Sequence, residues 1–99
     1  MLTIEKNRQG AELTVILDGR LDTASAPNFE AVVKNELEGV ETLVLEFKKL
    51  LYTSSAGLRV ILLAQKTMNK QGKMILKNVS EDVMEVFEMT GLADLFAIE

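Results

Sequence analysis

A chain of 99 residues with 47% hydrophobic and 26% charged residues has the size and balance of one small globular domain, able to bury roughly two-thirds of its unfolded surface. It contains no Cys and no His. That excludes disulfides, zinc-thiolate sites and a thiol nucleophile, and it leaves a serine nucleophile only Lys or a carboxylate as its base. A net charge of −4 and a pI near 4.9 argue against a nucleic-acid partner, which needs a basic patch. No apolar run approaches the roughly 20 residues that cross a bilayer. The start, MLTIEKNRQG, lacks the basic-then-apolar pattern of a secretory leader, so a soluble, cytoplasmic protein with no membrane partner is expected.

In chain order, Leu2 and Ile4 alternate with Thr3 and Glu5, NRQG turns, and Leu13, Val15 and Leu17 alternate with Thr14, Ile16 and Asp18; this is a β-hairpin. In LDTASAPNFEAVVKNEL, Asp22 or Ser25 can cap a helix, Pro27 suits a first turn, and Phe29, Val32, Val33 and Leu37 fall on one helical face. The segment TLVLEF is apolar on both faces, the signature of a strand buried between layers or at a sheet's centre. A second helix is predicted from about Ser54 to Lys70, stopped by Gln71-Gly72. A strand around Met74 to Leu76 follows.

Ser80 reads as the N-cap of a third helix over Glu81 to Thr90, with Glu81 and Asp82 in the first turn and Gly91 at C′. LFAI closes the chain as a last strand. The order β-β-α-β-α-β-α-β implies right-handed crossovers. The expected fold class is α/β: a single domain over residues 1–99, a mostly parallel mixed sheet with one antiparallel edge hairpin, and helices packed on the sheet.

Thr53, Ser54 and Ser55 crowd the junction between an apolar run and the second helix. A strand-to-helix junction needs one Ser or Thr cap, worth about 1 kcal/mol, so capping accounts for one hydroxyl. A helix N-terminus also favours anions, so a phosphate placed on a serine there is compatible with the fold. Gly57 costs the helix about 1 kcal/mol relative to Ala. It shares a direction with Val60, Ile61, Ala64 and Met68, and close approach to the sheet is the expected structural reason. Leu58 and Leu62 fall off that stripe, beside Gln65, Lys66 and Asn69. Either the first helix or the loop after Asp18 covers them, or they form an apolar partner patch beside the serines. Met84, Phe87 and Met89 on the third helix are expected in the core or on its flank.

Three motifs in order carry a family resemblance: GRLDTASAP before the first helix, Ser54-Ser55-Ala56-Gly57-Leu58 opening the second, and VFEMTGLADLF near the end. With these the chain resembles the STAS domains, specifically the stand-alone bacterial anti-sigma factor antagonists. The resemblance implies a regulatory binding module that is not an enzyme and has neither cofactor nor metal. In its unphosphorylated form it would bind a serine kinase that is also an anti-sigma factor, and so release sigma. Phosphorylation of one serine would end the complex, and a PP2C-type phosphatase would restore it.

In that family's motif the modified serine stands two residues before Gly, which is Ser55 here, with Ser54 as the alternative. The family's aspartate before the first helix corresponds to Asp22. The chain departs from the usual pattern at Ser54, where the family has Asp, at Ala56, where it has Ser or Thr, and at Arg20, where Glu is frequent. The expected partner-binding set is Asp22, Thr53, Ser54, Ser55, Leu58, Arg59 and Leu62, with Gly57 structural and a monomer favoured. Two other functions compete. One is a constitutive STAS subunit of a lipid-transport or signalling scaffold. The other is an enzyme using Ser55 with Lys48 or Lys49 as base, which nothing in the sequence supports by placing either lysine beside the serine.

Overall fold

A computed structural model describes residues 1–99. The alternation at the start of the chain produces strands β1 (Leu2–Gln9) and β2 (Glu12–Leu21), paired antiparallel from Leu2↔Gly19 to Gln9↔Glu12. The hairpin is longer than the apolar alternation alone indicates, because the polar run Glu5 to Gln9 continues β1 as an exposed edge. The turn is Gly10-Ala11, with Gly10 at φ 62°, a conformation that costs glycine little.

Helix α1 (Ala26–Asn35) buries Ala26, Phe29, Val32 and Val33 and carries Pro27 in its first turn. Its start differs from expectation. Ser25 occupies the N-cap position but makes no side-chain cap bond, because its hydroxyl is engaged by the preceding loop. Leu37 lies past the helix end and is buried there.

Strand β3 (Thr42–Glu46) runs parallel to β2 from Glu12↔Thr42 to Ile16↔Glu46. On its other side it pairs with β5 (Lys73–Lys77), also in parallel, so it sits at the sheet's centre as its apolar run requires. Between them the chain makes a strand that the periodicity does not reveal. This is β4 (Leu50–Thr53), which takes over from β3 along β2 through Gly19↔Leu50, Arg20↔Tyr52 and Leu21↔Thr53, after a register shift between Gly19 and Arg20. Four residues with only the end positions buried carry no period-2 signal.

Helix α2 (Ser55–Asn69) and helix α3 (Glu81–Met89) follow, with Ser54 and Ser80 as N-caps. A short 3-10 turn at Ala93–Leu95 leads to β6 (Ala97–Ile98), parallel to β5. The fold class stands as expected: a six-stranded mixed sheet in the order β1-β2-β3-β5-β6, with β4 on β2.

The core lies on one face of this sheet. Leu13, Val15 and Leu17 of β2, Leu43 and Leu45 of β3, and Met74 and Leu76 of β5 join the helices in one cluster of 24 buried residues. Burying a side chain of this kind is worth roughly 1.5–3 kcal/mol. Phe87 of α3 closes one end, 6.4 Å from the Phe47 ring and 5.3 Å from the Phe96 ring between centroids. Among the expected core or flank residues of α3, Met84 is half-buried against the cluster, whereas Met89 is exposed. No helix is long and apolar enough to cross a membrane.

Candidate functional site

The end of β2 and the start of α2 meet through backbone geometry. Ser54 N–H donates to Leu21 O at 2.9 Å, and Leu58 N–H donates to Ser54 O at 2.9 Å as the first helical bond. Gly57 lies against this junction. A Cβ there would stand 2.5 Å from Thr53 Oγ1, 2.7 Å from Leu21 Cγ and 2.9 Å from Leu21 O. The close approach expected of Gly57 is therefore present, and it explains a glycine inside a helix despite its propensity cost.

The three hydroxyls divide. Thr53 is 2% exposed, and its hydroxyl donates to Ser54 O at 3.3 Å. Ser54 is the cap, accepting from Gly57 N–H at 3.3 Å, which satisfies one of the helix's free donors. Ser55, the first helical residue, is exposed. Alone of the three it faces solvent with no structural bond to break.

Beside them runs the loop from Arg20 to Ser25. Asp22 Oδ1 accepts from Ala24 N–H at 3.1 Å and from Ser25 N–H at 3.0 Å. The Ser25 hydroxyl accepts from Asp22 N–H at 2.9 Å and lies 2.7 Å from Arg20 O. Asp22 thus braces the loop before α1 rather than capping the helix. The Ser25 N–H donated to it, assisted by the Ser25 hydroxyl, holds its carboxyl below the usual carboxylate range. Arg20 lies over the Tyr52 ring, 4.4 Å from its centroid, a cation–π contact between neighbouring strands. That contact escapes sequence analysis because it requires β4 to pair with β2.

Two members of the expected partner-binding set are not accessible. Leu58 is only 5% exposed and belongs to the core, so its side chain cannot form a surface patch. The reason is that α2 is covered by α1 as well as by β4 and β5, which widens its buried arc beyond the Gly57 to Met68 stripe. Gln65 is buried with it. The Thr53 side chain is likewise closed off. Leu62 is half-buried against the core, and Arg59 is exposed. Lys48 and Lys49 are exposed in the turn before β4. No cluster of carboxylates suited to a metal ion occurs.

The sequence profile of the STAS domain matches residues 3–99, and the chain belongs to that family. The Bordetella bronchiseptica protein BtrV, named as an anti-sigma factor antagonist, is 36% identical over 88 residues, covering 87% of this chain and 76% of its own. The anti-sigma-B factor antagonist of Listeria monocytogenes is 27% identical over 96 residues, covering 95% and 84%. Among solved structures, an anti-sigma factor antagonist from Mycobacterium paratuberculosis superposes with a TM-score of 0.88 at 17% identity, covering 99% of this chain and 85% of its own. The Bacillus cell fate determinant SpoIIAA in its phosphorylated form gives 0.76 at 22% identity, covering 100% and 91%. At these identities the structures establish the shared fold.

Proposed function

We propose that the chain is an anti-sigma factor antagonist: unphosphorylated, it binds a serine kinase that also restrains a sigma factor, and phosphorylation of Ser55 ends that binding. The observation that carries this reading is the division among the three hydroxyls. Thr53 is buried and Ser54 caps, so Ser55 alone is both accessible and free of a structural bond. The names of the relatives support the antagonist role.

The chemistry is that of a substrate. The Ser55 hydroxyl attacks the γ-phosphorus of ATP held by the kinase, its proton passes to a base of the kinase, and ADP leaves. The product carries about −1.5 to −2 charges at pH 7 at the start of α2, where helix N–H groups and the dipole tolerate them. A partner surface that packs on Ser55 has to desolvate that charge, and the complex comes apart. A PP2C-type phosphatase reverses the step by hydrolysis.

The test is incubation with a candidate kinase and ATP, followed by intact-mass and peptide mapping. One phosphate on Ser55 is expected, with none on Ser55→Ala and with tight binding retained by that variant. Ser55→Asp should bind at least tenfold more weakly than wild type. Phosphate on Ser54 instead, or equal binding by Ser55→Asp, overturns the assignment.

A further inference from the structure

The charges of this chain are segregated. From Phe47 to Ser80 all seven charged residues are basic, and all 15 carboxylates lie outside that stretch. The net charge of −4 hides this. Helix α2, inside the basic stretch, has no acidic residue. At 3.6 residues per turn, Ser55, Arg59, Lys66 and Lys70 fall within an arc of roughly 60°, a straight ridge about 22 Å long. All four are exposed.

Against the middle of this ridge, from Arg59 to Lys66, lies a groove between α1 and α2, of about 240 Å³, lined by Glu30, Arg59, Val60, Leu62, Leu63 and Lys66. Its one acid, Glu30, is engaged by Lys34 at 2.8 Å on the same helix. Val60, Leu62 and Leu63 give the groove its apolar lining, and Arg59 and Lys66, which make no ion pair, stand among them on α2.

We infer that this ridge and groove are the docking track for an acidic, amphipathic helix of the kinase partner. Its apolar face would lie over Leu62 and Leu63, and its carboxylates would meet Arg59, Lys66 and Lys70. This inference rests on the antagonist reading and adds the partner's chemistry to it. The occupant follows from complementarity: an apolar-lined groove takes a helix by its apolar face, and cations beside it select the opposite sign and raise the association rate. Ser55 heads the same ridge, one helical turn before Arg59. A phosphate there presents negative charge to the end of an acidic helix and competes for Arg59. The track thus gives the switch its sign.

The experiment uses matched charge reversals, Lys66→Glu on the ridge and Lys77→Glu at the opposite end of β5 from Lys70, both exposed, with melting curves for both. Against the kinase that phosphorylates the chain, Lys66→Glu should lose at least tenfold in affinity and much of the salt dependence between 50 and 500 mM NaCl, values chosen to span strong and weak screening at Debye lengths of roughly 14 to 4 Å. Lys77→Glu should change affinity less than twofold. Equal losses overturn the track, because a general charge effect moves both variants alike. Such a result leaves phosphorylation of Ser55 intact, so the two readings fail separately.

A second arm needs no kinase. An amphipathic Leu/Glu peptide of about 15–18 residues, enough to span the ridge, should shift backbone amides of α1 and α2 on titration, and its Leu/Lys counterpart should not. If Ser55 takes no phosphate yet this selectivity holds, the antagonist reading falls and with it the kinase as occupant, while the selectivity of the track for an acidic helix stands. Absence of selectivity overturns the track. Tighter binding of a labelled DNA duplex than of the Leu/Glu peptide overturns the choice of an acidic protein helix.

Discussion

Helices α2 and α3 begin with the same device and use it differently. Each has a serine N-cap whose hydroxyl accepts from the N–H three residues on, Ser54 from Gly57 at 3.3 Å and Ser80 from Val83 at 3.2 Å. After Ser80 come Glu81 and Asp82, anions that complement the helix dipole, whereas the first turn of α2 has no acid. Three residues after the cap, α3 buries a full valine side chain, Val83, where α2 has room for a hydrogen atom only. The start of α3 is built for stability. The start of α2 is clamped to the sheet from below and carries no acidic side chain above.

Exchanging features between the two helices tests this contrast. The largest effect is expected at the clamp. Gly57→Val gives α2 the residue that α3 carries at the matching position, and its Cβ meets Leu21 O and Thr53 Oγ1 inside van der Waals contact. Loss of about 1–3 kcal/mol or more is expected, enough to lower the melting temperature sharply or prevent folding. An unchanged melting temperature would show that α2 is not seated against β2 as described.

The caps come next. Ser54→Ala and Ser80→Ala should each cost about 1 kcal/mol, measured by chemical denaturation. The two costs should agree within experimental error, since both hydroxyls accept one bond of similar length. A much larger cost for Ser54→Ala would mean that Ser54 does more than cap.

This contrast was only partly legible in the sequence. The Ser80 cap and Gly91 at C′ could be assigned from residue type, and Gly91 has φ 75°. The packing of Gly57 could be inferred from its place on the wheel. Leu58 could not be placed, because a wheel ranks directions around one helix and says nothing about how many neighbours cover it. With α1 on one flank and strands on the other, the buried arc reaches Leu58 and Gln65. Strand β4 was hidden for a related reason. Its two middle residues, Leu51 and Tyr52, are exposed apolar side chains at 70% and 40%, so the binary pattern is inverted in the strand that leads into the candidate site. Residue type alone does not say which of the three hydroxyls caps; the pairing of β4 buries Thr53, and the helix start takes Ser54.

A smaller effect is expected when α2 receives the charge that α3 already has. Ser55→Asp should stabilise the fold by about 0.3–1 kcal/mol at low salt, as an anion in the first turn does. The gain should fade as salt screens it. Thermal melts at 50 and 500 mM NaCl read this directly. A destabilised Ser55→Asp protein would mean that the start of α2 resists negative charge, and loss of partner binding could then no longer be separated from loss of fold.

The smallest effect concerns Asp22, which braces the loop facing the clamp. Its carboxylate accepts from Ser25 N–H, and this holds its pKa below the ordinary 3.8. Because the folded state binds that proton less readily than the unfolded state, ionised Asp22 favours folding. The contribution is fully present above the unfolded value and is lost as pH falls through the lower folded value. Asp22→Asn keeps an oxygen acceptor at the same place and removes the charge. The stability difference between wild type and Asp22→Asn should therefore be constant from pH 7 to about pH 5 and shrink below about pH 4. Glu81 and Asp82, at the start of α3, provide the contrast: Glu81→Gln with Asp82→Asn removes two charges that act on a helix dipole through solvent, so its difference from wild type should fall with added salt at neutral pH. The Asp22 difference rests on a direct hydrogen bond and should persist. If the Asp22 difference instead grows on acidification, the Ser25 N–H does not favour the ionised carboxyl, and the loop beside Ser55 is held by other bonds.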